Sequence, residues 1–334
     1  MKKLTLLLVV LFYFIGICRI SAQSSQIATL SNGSKVSVYY GVSALKSAHE
    51  AAEDGDVITL SSGAFSAVNI TKDIVLRGAG MEIDTINNIL PTTIVGDFYI
   101  RGNYDNQSSN FVMEGICCEY IIRLEGLNNP KFIKCRLKYL SETSIRDAIF
   151  LHCRITDEVN ITNKSSSLFL SSIVEDPVSN NRDTSFEFEN CIIYVDRVSF
   201  TYVNNSLFKN SIVFSRVEAP INTSCVAYNC VSNDVDMFVN INNSTNKGNV
   251  SLANLFKTYT EELSFKSIGD EMFELTDDAK IKYLGVDGTQ IGIHGGAMPF
   301  DITPTNPQIK KCNVATKSTV DGKLSVDIKV NVEN

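Results

Sequence analysis

The amino-acid sequence predicts an all-β solenoid, one chain wound into stacked coils. Two observations predict it. A short pattern recurs between residues 130 and 233. It reads Phe132-Ile133-Lys134-Cys135, Phe150-Leu151-His152-Cys153, Phe169-Leu170-Ser171-Ser172, Phe188-Glu189-Asn190-Cys191 and Phe208-Lys209-Asn210-Ser211, with a degenerate copy at Ala227-Tyr228-Asn229-Cys230. The Phe residues are also evenly spaced, 18, 19, 19 and 20 positions apart. Each copy holds Phe, any residue, a polar turn residue and a small Cys or Ser. A period near 19 in fixed phase marks a unit that cannot bury a core alone. Stacking such units buries Phe on Phe and Cys on Cys along the axis.

The chain opens with Lys2 and Lys3, runs apolar from Leu4 to Ile17, and reaches small residues at Ser21-Ala22. This describes a secretory signal peptide over residues 1–22, cleaved after Ala22. The apolar run is short for a membrane span, and the bulky Ile17 makes Cys18 a poor acylation site. The expected destination is secreted, periplasmic or outer-membrane-associated, with no transmembrane span in the mature chain. Losing Lys2, Lys3 and Arg19 takes the formal charge from −7 to −10. An acidic chain without a basic run does not suit nucleic acid, where phosphate contacts dominate affinity.

Nine cysteines minus Cys18 leave eight. Cys135, Cys153, Cys191 and Cys230 share one phase of the repeat, which reads as stacked, inward-facing thiols. Bridges remain the alternative: Cys135 and Cys153 on adjacent turns, roughly 4.8 Å apart, or Cys225 with Cys230. There is no Cys-x-x-Cys and there are three His, so zinc-site spacing is absent.

In chain order, residues 23–40 become alternating at Val36, Val38 and Tyr40 and read as a lead-in strand. A helix over about 43–54 follows, with Ser43 as N-cap, an apolar stripe of Leu45, Ala48, Ala51 and Ala52, and Gly55 as its stop. It is placed to cover the open end of a stacked coil. His49 sits at the boundary of that stripe. Strands are expected at Asp56–Leu60, Val68–Ile70 and Ile74–Leu76, with Gly63 at a turn. Residues 80–92 form an irregular insertion. Further strands lie at Thr93–Val95, Phe98–Ile100 and Phe111–Met113, around a polar loop from Asn103 to Asn110.

Two stretches carry a family resemblance. The run from Ala44 to Leu60, containing Gly55-Asp56-Val57-Ile58-Thr59-Leu60, and then Ile74-Val75-Leu76-Arg77-Gly78-Ala79-Gly80, resembles the opening of pectin-lyase-like right-handed parallel β-helix proteins. Those proteins place a capping helix before the first coil. Val286-Asp287-Gly288-Thr289-Gln290-Ile291-Gly292, with Pro299-Phe300, resembles the C-terminal coil of exported β-helix proteins from Bacteroidetes-type bacteria. The resemblance covers residues 41–80 and 251–300. It implies a single-stranded right-handed parallel β-helix over residues 23–303, with roughly ten coils and a length of about 50 Å. Residues 304–334 form a β tail: Thr319-Val320 and Leu324–Val330 flank Asp321-Gly322, a hairpin signal. The tail reads as packing on the coil, with a sorting or attachment signal as the alternative.

Candidate chemistry lies in an outward column four and five residues beyond the Cys/Ser anchor: Asp157 and Glu158, Asp176, Asp196 with Arg197, Arg216, and Asp234. Carboxylates one rung apart could share a proton or a Ca²⁺ at Asp176 and Asp196. Glycosidase chemistry needs two carboxyls across a bond, and lyase chemistry needs a base and charge stabilisation. The plainer reading is a solvated turn column with local salt bridges. The resemblance lends the enzyme reading no motif, since Ile293-His294-Gly295 departs from the Gly-His-Gly of related polygalacturonases. His152 fills the turn slot of Lys134 and Asn190. With no Trp, Tyr99, Tyr104, Tyr194 and Tyr202 are the aromatic platforms a sugar could use. The expected function is an exported, non-catalytic β-helix protein binding a glycan or a surface-protein partner. The alternatives are a polysaccharide lyase or glycoside hydrolase acting on an acidic polysaccharide, and an adhesin-like structural solenoid.

Overall fold

The computed structural model describes residues 26–85, 89–102, 110–179, 183–196, 203–217, 220–258, 273–304, 308–314, 323 and 326–331. The residues of the expected signal peptide, and Tyr104, Arg197, Tyr202 and Asp321-Gly322, lie outside them. The chain is a right-handed parallel β-helix of about 8 turns. An 11-stranded sheet and a 12-stranded sheet run its length. Each coil gives one strand to the first sheet, turns a tight corner, and gives the next to the second sheet.

The corner explains the polar slot of the repeat. Lys134, His152, Ser171, Asn190, Asn210 and Asn229 all sit at positive φ, between 43 and 54°. Asn tolerates that backbone region best after Gly, and three of the six are Asn. The Phe slot forms an internal ladder. Ring centroids are 4.8 Å apart for Phe132–Phe150, 4.6 Å for Phe150–Phe169, 5.3 Å for Phe169–Phe188 and 5.2 Å for Phe188–Phe208. Stacked pairs of this kind contribute about 0.5–1.5 kcal/mol each beyond area burial.

The Cys/Ser slot has its own logic. Cys153 Sγ donates to the Phe132 carbonyl one coil earlier at 3.3 Å, Ser172 Oγ to Phe150 at 3.2 Å, and Cys191 Sγ to Phe169 at 3.2 Å. The slot wants a small donor beside a buried carbonyl, and thiol and hydroxyl both serve. Cys117, Cys118, Cys135, Cys153, Cys191, Cys225 and Cys230 are free and buried, so neither of the two bridges considered forms. Burial pushes the thiols of Cys191 and Cys230 up to about 12.

Three expectations change at the N-terminal end. The lead-in is a hairpin, Ile27–Asn32 antiparallel to Lys35–Tyr40, turned at Gly33 with φ 55°. The capping helix spans Ala44–Ala51 and buries Leu45, Ala48 and His49, but Ser43 makes no side-chain cap. Its end is held instead by Lys72 Nζ, which donates to the carbonyls of His49, Glu50 and Ala52 at 2.7, 3.1 and 2.6 Å. A cation there also opposes the negative end of the helix dipole. His49 accepts from the Thr71 amide at 3.3 Å, and burial holds its pKa below the usual value. Gly63 begins a strand, Gly63–Ser66, rather than a turn.

The largest correction is at the other end. Beyond the strand Val231–Ser232, residues 237–250 lay one irregular turn on the coil, with Lys247 bridged to Val231, and the chain then passes through short helices at Leu252–Leu255 and Asp277–Lys282. Residues 283–304 then run back along the outside as a strap, so they add no coil, and the count is about 8 rather than ten. The corner residues hold this strap in reverse order. Asn229 Nδ2 donates to the Leu284 carbonyl at 2.8 Å, and the Gly292 amide donates to the Asn210 carbonyl at 2.8 Å. Ser171 Oγ and His152 Nε2 both donate to the Met298 carbonyl, at 2.6 and 3.2 Å. Lys134 Nζ meets Asp301 at 2.5 Å and the Thr303 carbonyl at 2.6 Å. In the tail, Gln308–Val314 pairs antiparallel with Val326–Asn331 in a two-stranded sheet of its own. Thr319 and Val320, expected as a strand, lie outside the described residues. Among the described residues no helix is long and apolar enough to cross a membrane.

Candidate binding face of the second sheet

One outward row crosses the second sheet in unbroken register. It reads Thr93, Cys117, Arg136, Arg154, Ile173, Ile192, Ile212 and Val231. The aliphatic half lies under the strap. Ile173, Ile192, Ile212 and Val231 join Phe256, Phe273, Leu275, Ile291, Ile293 and Phe300 in a second apolar cluster, separate from the Phe-ladder core. The polar half lies outside that cluster: Cys117 and Arg154 are buried, with Glu82 of the insertion against Arg136 and Arg154, and only the neighbouring bulge residues are open.

Within the open half, Arg136 is held at three points. Its Nε and Nη2 donate to Cys117 Sγ at 3.2 and 3.1 Å, and its Nη1 donates to Glu82 at 2.9 Å. Glu82 comes from the insertion and also lies 3.9 Å from Arg154. Burial raises the Cys117 thiol pKa despite the neighbouring guanidinium, so this sulfur is a packed acceptor rather than a thiolate. Beside this cluster lies a cleft of about 450 Å³, lined by Cys117, Glu119, Tyr120, Arg136, Lys138 and Asp157, among others. Tyr120 is 48% exposed on its rim.

The cleft exists because the sheet is irregular at this point. Between Cys118 and Ile121 two residues face a single one between Leu137 and Tyr139. That same Lys138 faces two between Ile155 and Glu158. Such bulges re-aim side chains, and here they supply Glu119 and Tyr120, Lys138, and Thr156 and Asp157. Further along the same strands, Tyr139 and Asn160 both donate to Glu158, at 3.3 and 3.2 Å. Burial and the Glu158 carboxylate raise the Tyr139 pKa. Tyr99 stands between the guanidiniums of Arg101 and Arg123, 5.7 and 5.0 Å from its ring centre.

The five predicted column residues do not share a column. Asp157 is in the cleft. Asp176 is fully buried at a corner with φ 42°, and its carboxylate accepts from the Asp196 amide at 2.8 Å. It therefore points inward, correcting the expected outward position. Asp196 accepts from Tyr194 Oη at 3.1 Å and from Arg216 at 3.4 Å. Asp234 accepts from the Asp236 amide at 2.9 Å, closing its own turn. The column fails because it mixes offsets: Asp176 stands four past its anchor and Asp196 and Arg216 five past theirs in coils that stay in register, so they face opposite ways, and only the bulge at Thr156-Asp157 shifts the count. Burial of one Asp176 oxygen on a main-chain amide also leaves the suggested Ca²⁺ pair, Asp176 and Asp196, without convergent free carboxylates. Among the described residues no group of three or more His, Cys, Asp or Glu could hold a metal ion. Arg136, Glu82 and Tyr120 carried no signal in the repeat; the usable clue was that the residue after the anchor changes from Arg to Ile. No family model, curated protein or solved structure matches this chain.

Proposed function

We propose that this chain is an exported, non-catalytic β-helix protein of the pectin-lyase-like kind, of Bacteroidetes type, that binds a glycan at the cell surface or in the periplasm. The binding surface is the open half of the second sheet. The observation that carries the reading is the pairing of an exposed tyrosine, Tyr120, with a cleft of planar and charged hydrogen-bonding groups on stiff strands. Sugars present hydroxyls to such groups and an apolar ring face to an aromatic.

The charge balance favours a weakly charged or neutral glycan. Arg136, Lys138 and Arg154 are matched by Glu82, Glu119 and Asp157, so the face offers no net attraction to a polyanion. Catalysis is the less favoured reading because Arg136, the central cation, already donates to Glu82 and Cys117.

The test is a panel of neutral and acidic polysaccharides, each with and without Ca²⁺, with binding and product formation read together. Saturable binding to a neutral glycan without cleavage is expected. Replacing Tyr120→Ala or Lys138→Ala should weaken it about tenfold, or 1.4 kcal/mol, with the melting temperature unchanged. Release of unsaturated or reducing ends would overturn the non-catalytic reading, and binding confined to a surface protein would replace the glycan as ligand.

A further inference from the structure

The first sheet carries a second surface that the glycan reading does not use. The residue in the Phe slot, which is Leu76, Met113 or Ala227 on three of the coils, faces inward, so the residues immediately before and after it face outward. The strands here stay in register without a bulge. Two parallel rows result. The row before Phe runs Val75, Val112, Lys131, Ile149, Leu168, Glu187, Leu207 and Val226. The row after it runs Arg77, Glu114, Ile133, Leu151, Leu170, Glu189, Lys209 and Tyr228. The centre of this face is aliphatic and partly exposed at Ile149, Leu151, Leu168 and Leu170, which a solitary soluble solenoid would not need.

We propose that this face is the interface of a homodimer, in which two copies stack face to face with their long axes antiparallel. The argument is self-complementarity. A two-fold axis parallel to the strands, set between the Ile149 and Leu168 strands, keeps each row opposite itself and reverses the order of coils. Ile149 then meets Leu168 of the other copy, and Leu151 meets Leu170. Lys131 meets Glu187, and Glu114 meets Lys209. Arg77 at one end meets the ring of Tyr228 at the other. Seven of the eight pairings are apolar on apolar, opposite charges, or cation on aromatic; of these, Glu114 is 8% exposed and also pairs with Arg77 in its own chain at 3.2 Å. The exception sets Ile133 against Glu189, and Glu189 already pairs with Lys209 in its own chain at 2.5 Å. The eight rungs extend about 34 Å. A different partner would not require charge order along the axis to be reversed about the centre.

The test is the oligomeric state of the full mature chain by sedimentation velocity over a wide concentration range. A reversible dimer is expected. Leu151→Asp should weaken it at least about tenfold, since it sets an acid into the centre of the desolvated face. That side chain points out of the coil, and circular dichroism and the melting temperature will show that the fold persists. Lys131→Glu alone should weaken the dimer, and adding Glu187→Lys in the same chain should restore it, because each copy then presents the reversed pair. A chain that is monomeric at every concentration overturns the proposal, as does a dimer indifferent to Leu151→Asp or a double reversal that does not restore association.

Discussion

The two halves of the second sheet's outer face share a backbone and a register but not a chemistry. Over the first half the row is Thr93, Cys117, Arg136 and Arg154; over the second it is Ile173, Ile192, Ile212 and Val231. The change coincides with a change in what lies against the row: the second apolar cluster over one half, and Glu82 of the insertion over the other. Where residues 283–304 with Leu255, Phe256, Phe273 and Leu275 cover the sheet, the row is aliphatic and its burial contributes about 25 cal/mol per Å². Where Glu82 of the insertion lies against the sheet, the same position carries Arg. A solenoid sheet is thus neutral ground: what lies above it decides what its outward residues must be.

The largest expected effect comes from the interior behind the open half. There the inward row reads Leu124, Glu142 and Ile161. Glu142 is fully buried and accepts from Ser167 Oγ at 2.5 Å. Burial pushes its pKa from 4.5 to about 8. The folded chain therefore keeps this proton to about pH 8, while the unfolded chain releases it near 4.5. The contribution to stability is full below about pH 4.5 and lost as pH rises to about 8, a loss of roughly 5 kcal/mol. Glu142→Gln should remove that slope, as read by denaturant unfolding at about pH 5 and about pH 8.

The next effect exchanges the two halves. Ile212→Arg writes the open-half residue beneath the strap, into the cluster of Ile192, Val231, Ile291 and Ile293. A loss of about 3–5 kcal/mol is expected, with proteolysis opening the chain within residues 251–304. The reverse exchange, Arg154→Ile, should cost less, because Glu82 keeps Arg136 as its partner when Arg154 is removed. Equal losses in both directions would remove the distinction between the halves.

Much of this was legible in the sequence and some was not. The Phe ladder, the Cys/Ser slot, the corner residues and the capping helix all follow from local periodicity, which a 19-residue repeat writes plainly. The strap did not, because its contacts with His152, Lys134 and Asn210 join residues far apart in sequence. Val286–Gly292 also looks like one more coil when read alone. The cleft was hidden for a related reason. A bulge at Glu119-Tyr120 leaves no mark on the period, and Asp176 was misplaced because it stands four residues past its anchor, where the chain faces inward, while Asp196 and Arg216 stand five past theirs. Asp157 was found; Arg136 and Glu82 were not, since Glu82 arrives from an insertion outside the repeat.

The smallest effect is at the strap's end. Lys134→Met removes the contact with Asp301, whose carboxyl is raised by its burial but lowered further by Lys134 and Thr303, leaving it below the usual range. Because Asp301 is 47% exposed in its side chain, the loss should be only about 1 kcal/mol. It should appear as faster hydrogen exchange over residues 298–304, with the coil unchanged.

The most direct test of the account is covalent side-chain footprinting with a bound polysaccharide from the panel. Carboxyl and amine labels would be read at Glu119, Lys138 and Asp157 in the open half, and at Asp196 and Asp234 beyond it. Protection is expected at the first three, with Asp196 and Asp234 labelled as in the free chain. Protection at Asp196 or Asp234 with Glu119, Lys138 and Asp157 unchanged would contradict it.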